Sequence, residues 1–223
     1  MSSAFSYIME ALAMEKFSKY NDPLSGVNPF VNPRHRAPSV LGYLKALLKA
    51  PLVLLLFGTN INVVQFLVKI TSNKITGPKV LAANASSFLD IFVLKYLTGI
   101  RNFYYVTEYG FIDVRTGRFC KKATEPCVLF PEGCQTNNKA VLQFSRDVEV
   151  DHVCGIRYTG GCINMYGGFA GFILRFLASK NAVEIKFKKC SSLHAICELS
   201  GLPQVKWTSR DKDRFMREFH KEL

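Results

Sequence analysis

No stretch of this sequence is apolar for long enough to span a bilayer. The aliphatic run at residues 50–58 falls far short of the roughly 18–20 residues such a helix needs. The start, Met1-Ser2-Ser3-Ala4-Phe5, lacks a basic segment followed by an apolar core and a cleavage site, so no secretory signal is expected. Seven cysteines (Cys120, Cys127, Cys134, Cys154, Cys162, Cys190 and Cys197) form no C-x-x-C pair, and His152 and His194 complete no zinc spacing. Reduced thiols facing a cytosol are the plain expectation, and no metal is expected. Acidic residues are scarce: 17 Asp and Glu against 29 Lys and Arg leave a net charge of +12. That charge alone would suit nucleic acid, but no nucleic-acid motif and no cluster of aromatics among basic residues accompanies it. Nucleic acid is therefore not an expected partner. Internal repeats and low-complexity tracts are also missing.

What is present is a greasy, basic chain of single-domain length. With 223 residues it can bury a real core. A mean hydropathy of +0.10 and a pI near 9.4 suit a protein resting on anionic lipid. The periodicity at residues 5–20 predicts a short helix, and the Pro, Gly and Asn of 21–33 a turn-rich linker. These make residues 1–36 an N-terminal appendage. Residues 40–70 are the greasiest part, broken by Pro51 and bracketed by Lys45, Lys49 and Lys69. A pair of core helices and a monotopic hairpin dipping into one leaflet both fit that pattern. The hairpin, over 37–75, is the expectation carried forward. Residues 76–223 alternate short apolar runs with helical patterns, the mark of an α/β body. Strands are expected over 79–83, 102–107, 127–130, 153–158 and 182–187, and helices over 86–97, 166–178 and 209–223. In the last helix Ser209 is the expected N-cap, with Asp211 in the first turn.

Two segments carry chemistry, each directly after an expected strand. One is Asn84-Ala85-Ser86-Ser87-Phe88-Leu89-Asp90; the other is Phe130-Pro131-Glu132-Gly133-Cys134-Gln135-Thr136-Asn137. Together they resemble the glycerolipid acyltransferase superfamily, which has N-H-x-S-x-x-D in the first place and F-P-E-G in the second. The F-P-E-G-x-x-T-N form is close to the lysophosphatidylcholine acyltransferase-like branch. Asn28-Pro29-Phe30-Val31 is similar to the short motif preceding that branch's membrane segment, and Gly110-Phe111-Ile112-Asp113 with Arg115 to the family's second block. The resemblance covers roughly residues 28–190.

It implies an acyltransferase-type mixed sheet flanked by helices, with the N-terminal hairpin as a membrane anchor. It also implies transfer of an acyl chain from acyl-CoA, as co-substrate, to a lysophospholipid or glycerol-phosphate hydroxyl, within phospholipid biosynthesis or remodelling. No further cofactor is implied. The expected setting is the cytosolic face of an internal membrane such as the endoplasmic reticulum, with membrane phospholipids as partners. In the family an imidazole takes the acceptor's proton, and an Asp one helical turn on orients it, the logic of a Ser-His-Asp triad with the substrate as nucleophile. Phe130, Pro131, Glu132 and Gly133 are implied to bind the glycerol-phosphate part, with Arg115 holding phosphate.

The departure is at the centre. Five residues before Asp90 stands Ala85, with no titratable group, and no histidine lies nearby in sequence. Loss of a general base costs about 10²–10⁴-fold in rate. Two readings follow: a diverged acyltransferase, or a catalytically inactive relative that binds lipid as a membrane scaffold or regulator. A basic nucleic-acid or partner-binding module is the weakest rival. Each site residue also has a plainer role available. Asp90 would be stabilised in any first helical turn, Glu132 could be a turn carboxylate, and Arg115 could belong to a solvated face with Arg118, Lys121 and Lys122. Cys134 lacks the base a thiol nucleophile needs.

Overall fold

The computed structural model describes residues 16–31, 39–57, 67–159 and 169–220. The expected strands all form, at or close to the expected bounds. They are β2 (Val80–Ala83), β3 (Asn102–Val106), β6 (Cys127–Phe130), β7 (His152–Thr159) and β8 (Asn181–Lys189). Three short strands join them: β1 (Val68–Ser72), β4 (Phe111–Asp113) and β5 (Phe119–Cys120). The result is a mixed eight-stranded sheet in the order β1-β8-β7-β2-β6-β3-β4-β5. Its middle, β7-β2-β6-β3, is parallel; β8 runs antiparallel to β7, and β4 and β5 form an antiparallel meander at one edge.

Side chains alternate across this sheet, as the pleat requires. Leu81, Ala83, Phe103, Val128, Phe130, Ile156 and Tyr158 face one core, which is covered by α1 (Val40–Phe57), α2 (Leu89–Thr98) and α3 (Phe169–Ala178). Ala82, Tyr104, Val106, Leu129 and Val153 face the other, closed by Leu193, Ala195 and Ile196 around α4 (Ala195–Ser200). A third cluster lies off the sheet. Phe17, Tyr20, Phe30, Ala140, Leu142 and Val205 gather there around Phe215 of α5 (Ser209–His220).

The expected membrane hairpin is not supported. Among the described residues no helix is long and apolar enough to cross a membrane. One arm exists as α1, which continues through Pro51 even though proline cannot donate to the carbonyl one turn back. Residues 58–66, where the second arm would begin, lie outside the described residues. Beyond them, Val68–Ser72 is not helical: Val68 is buried, Lys69 is exposed, and the strand pairs in parallel with β8.

Other boundaries moved for local reasons. The helix expected from 86 starts at Leu89, because the amides of Ser86 and Ser87 are given to the Asp90 carboxylate instead. It stops at Gly99, whose left-handed φ of 74° lets its N–H reach the carbonyl of Lys95. Thr208, not the expected Ser209, precedes the first residue of α5, and the Asp211 carboxylate closes that end: its Oδ2 accepts the Thr208 amide and hydroxyl, at 3.0 and 2.8 Å. Residues 166–168, 221–223 and 5–15 of the expected helices lie outside the described residues, and Ser18–Tyr20 is a single 3-10 turn. The linker-like stretch is pinned rather than loose. Asn28 is buried, its side chain donates to the carbonyl of Phe17, and its Oδ1 accepts the amides of Phe30 and Val31.

Candidate active site

The two motif segments leave the carboxyl ends of adjacent parallel strands, β2 and β6, where open α/β sheets place their ligands. Between them sits a turn with unusual support. The amide of Ala85 donates to Glu132 Oε1 at 2.8 Å, and those of Ser86 and Ser87 donate to Asp90 Oδ2 at 2.7 and 2.9 Å. Three successive amides are thus held by two buried carboxyl groups, one from each motif. The Ala85 carbonyl in turn accepts from the Thr136 amide at 2.8 Å, so the second loop grips the first on both sides.

Both acids have their remaining oxygens occupied. Glu132 Oε2 accepts the Leu142 amide at 2.7 Å, and Asp90 Oδ1 accepts the Tyr158 hydroxyl at 2.7 Å. Neither carboxyl reaches solvent. Desolvation pushes Glu132 up to about 8, against the lowering pull of its two amides. It pushes Asp90 up to about 6, against three hydrogen bonds. The same burial, with Asp90 adjacent, holds the Tyr158 hydroxyl protonated far above its ordinary range.

The motif turn is shaped by its other residues. Asn84 bridges to β7, donating to the Ile156 carbonyl at 2.9 Å and accepting the Ile156 amide at 2.7 Å. Gly133 has φ 75°, and a Cβ there would meet the Val106 carbonyl oxygen at 2.8 Å, so glycine alone fits. Phe130 and Pro131 are buried beneath the loop. Asn137 donates to the carbonyls of Asn28 and Val31 at 2.7 and 2.6 Å, tying the N-terminal segment to the end of the second motif.

Over this turn opens a cleft of about 400 Å³, lined by Phe88, Ile91, Tyr105, Val114, Gly133, Cys134, Gln135 and Lys212. A second depression, of about 440 Å³ around Gln143, His194 and Lys206, contains no motif residue. The two motifs meet at the braced turn: Ala85, Asp90 and Glu132 are buried there, and of the expected site residues Gly133 is the one that lines the cleft. Arg115 does not line it. That residue follows Val114 into the exposed turn after β4, where Asp113 Oδ1 accepts its amide at 2.9 Å.

Lys212, from α5, is the cleft residue that sequence reasoning missed. Its Nζ donates to the Gln135 carbonyl at 2.5 Å. The available signal was its place three residues before Phe215 on an amphipathic helix, but only the packing of that helix aims it here.

Among the described residues that line the cleft, none offers the base that the resemblance calls for. Ala85 is buried among apolar neighbours, and burial pushes Cys134 up to about 12, leaving it a thiol. Tyr105 is raised by burial and by Asp90 and stays protonated. His152 lies at the amino end of β7, beside Asp151 and away from the cleft. His194 lines the other depression. Comparison with protein-family models, with curated proteins and with solved structures finds no match to this chain.

Proposed function

We propose that this chain is a glycerolipid acyltransferase-type protein working at a membrane surface, on the cytosolic face of an internal membrane such as the endoplasmic reticulum. Its cleft holds a lysophospholipid or glycerol-phosphate lipid, and Ala85 leaves it without base-catalysed transfer from acyl-CoA. One observation carries this reading. The two motif segments meet in one turn around position 85, where Asp90 and Glu132 brace three successive amides, and this supports the reading. The exposed leucines of α1 give a lipid surface something to bind. Leu41, Leu44, Leu47 and Leu48 stand out beside Lys45 and Lys49, and Leu48 is 79% exposed.

The test is an acyl-transfer assay with labelled acyl-CoA and a panel of lysolipids. The natural chain should bind lysolipid and give no transfer above background. Ala85→His should raise transfer by about 10²-fold or more, the usual contribution of a general base. Adding Asp90→Asn to that variant, which keeps an acceptor oxygen for the Ser86 and Ser87 amides, should lower it again through lost counter-charge. Transfer by the natural chain at the rate of Ala85→His would show that another base operates and would overturn the silent-site reading.

A further inference from the structure

We infer that Lys212 is the residue that recognises the anionic group of the cleft's ligand, in the place the motif gives to Arg115. The inference rests on the lipid reading above and adds the group that reads the headgroup.

Lys212 is half-buried in a cleft whose other walls include Phe88, Ile91, Tyr105 and Val114, and it is the one cation among the described lining residues. Removing an ammonium from water costs free energy unless an anion or hydrogen-bond acceptors replace the lost hydration. Its hydrogen-bond partner among the described residues is a neutral carbonyl, that of Gln135. Among the described residues it forms no ion pair: the neighbouring Asp211 accepts from Thr208, and Arg210 pairs with Glu108. Glu132 feels the charge of Lys212, but its oxygens are both taken by amides and burial favours its neutral form near neutral pH. Two of the three ammonium hydrogens are thus left for a ligand.

The position is also fixed rather than incidental. Three residues along α5, Phe215 is buried against the rings of Phe17, Tyr20 and Phe30, at centroid distances of 5.0 to 5.6 Å. Arg210 ties the first turn of the helix to Glu108 in the loop before β4. A fixed cation beside an apolar wall fits a single-chain amphiphile: the phosphate meets Lys212 and the chain lies along Phe88 and Ile91.

Equilibrium binding of three probes tests this. Lysophosphatidate carries chain and phosphate, monoacylglycerol the same chain alone, and glycerol 3-phosphate the phosphate alone. The natural chain should bind lysophosphatidate most tightly. Lys212→Met, which keeps the aliphatic stem, should weaken lysophosphatidate binding about tenfold or more and leave monoacylglycerol unchanged; Lys212→Arg should retain most of it. Emission from Trp207, packed against Tyr20 in the third cluster, reports that α5 is still seated. Unchanged lysophosphatidate affinity in Lys212→Met, or equal loss of both lipids, overturns the assignment. Glycerol 3-phosphate binding as tightly as lysophosphatidate overturns the ligand class. A natural chain that binds neither lipid overturns the lipid reading itself, which sets that failure apart from a failure of Lys212 alone.

Discussion

Replacing Glu132 with glutamine changes one atom and asks what holds the turn at Ala85. In the native site the two oxygens accept two amides from different segments, Ala85 at 2.8 Å and Leu142 at 2.7 Å. Glutamine offers one acceptor oxygen. Its NH2 group must then face the other amide, donor against donor, and one buried N–H loses its partner. Leaving a buried donor unsatisfied costs about 1–3 kcal/mol. For a protein of this size each kcal/mol lowers Tm by about 2–4 °C, so Glu132→Gln should melt roughly 2–12 °C lower.

The pH dependence sharpens the test. Burial raises Glu132 from 4.5 to about 8, so between those values the folded state binds more protons than the unfolded state. Stability from this group is complete below about pH 4.5 and falls as pH rises towards 8. Glutamine removes that slope. The deficit of Glu132→Gln should therefore be largest in acid and shrink towards pH 8, while Asp90, raised from 3.8 to about 6, still gives a decline at lower pH. Denaturant titrations at half-unit pH steps measure this. A variant as stable as the native chain, or a deficit independent of pH, would refute the brace.

Two further expectations concern the periphery. Asn137→Ala removes two donors to the carbonyls of Asn28 and Val31; it should cost about 1–3 kcal/mol and free residues 17–31 first, seen as faster amide exchange there than in the sheet. Leu41→Glu with Leu48→Glu, at exposed positions of α1, should abolish co-sedimentation with anionic vesicles and shift stability by less than about 0.5 kcal/mol per site; unchanged sedimentation would remove α1 from the contact.

What could be read in the sequence was whatever depends on local pattern. The strand Cys127–Phe130 is a short apolar run between turn signals, and its bounds match residue for residue. The meeting of Asp90 with Glu132 was legible because each motif follows an apolar strand, and parallel neighbours bring their carboxyl ends together. What escaped depends on partners distant in the chain. The short strands β1, β4 and β5 are two to five residues long, and their register is set by neighbours rather than by their own alternation. Residues 21–31 have turn composition, yet Asn137, more than a hundred residues on, decides that they are packed. Nothing local distinguishes Lys212 from other lysines on a charged helix. Pro51 was weighed as a breaker by propensity alone, and the helix runs through it.

The brace at residues 85–87 also separates two demands that a signature motif usually merges. Its amides are held by Asp90 and Glu132, with no help from the side chain at position 85. A small residue there can come or go without disturbing the loop, whereas loss of either acid would leave amides stranded in a dry interior. A lineage can therefore shed the reaction in a single step and still be compelled, by folding alone, to keep most of the signature. On the acyltransferase reading proposed above, the letters kept in the two segments testify to architecture, and the letter that would testify to turnover is the one the architecture does not need.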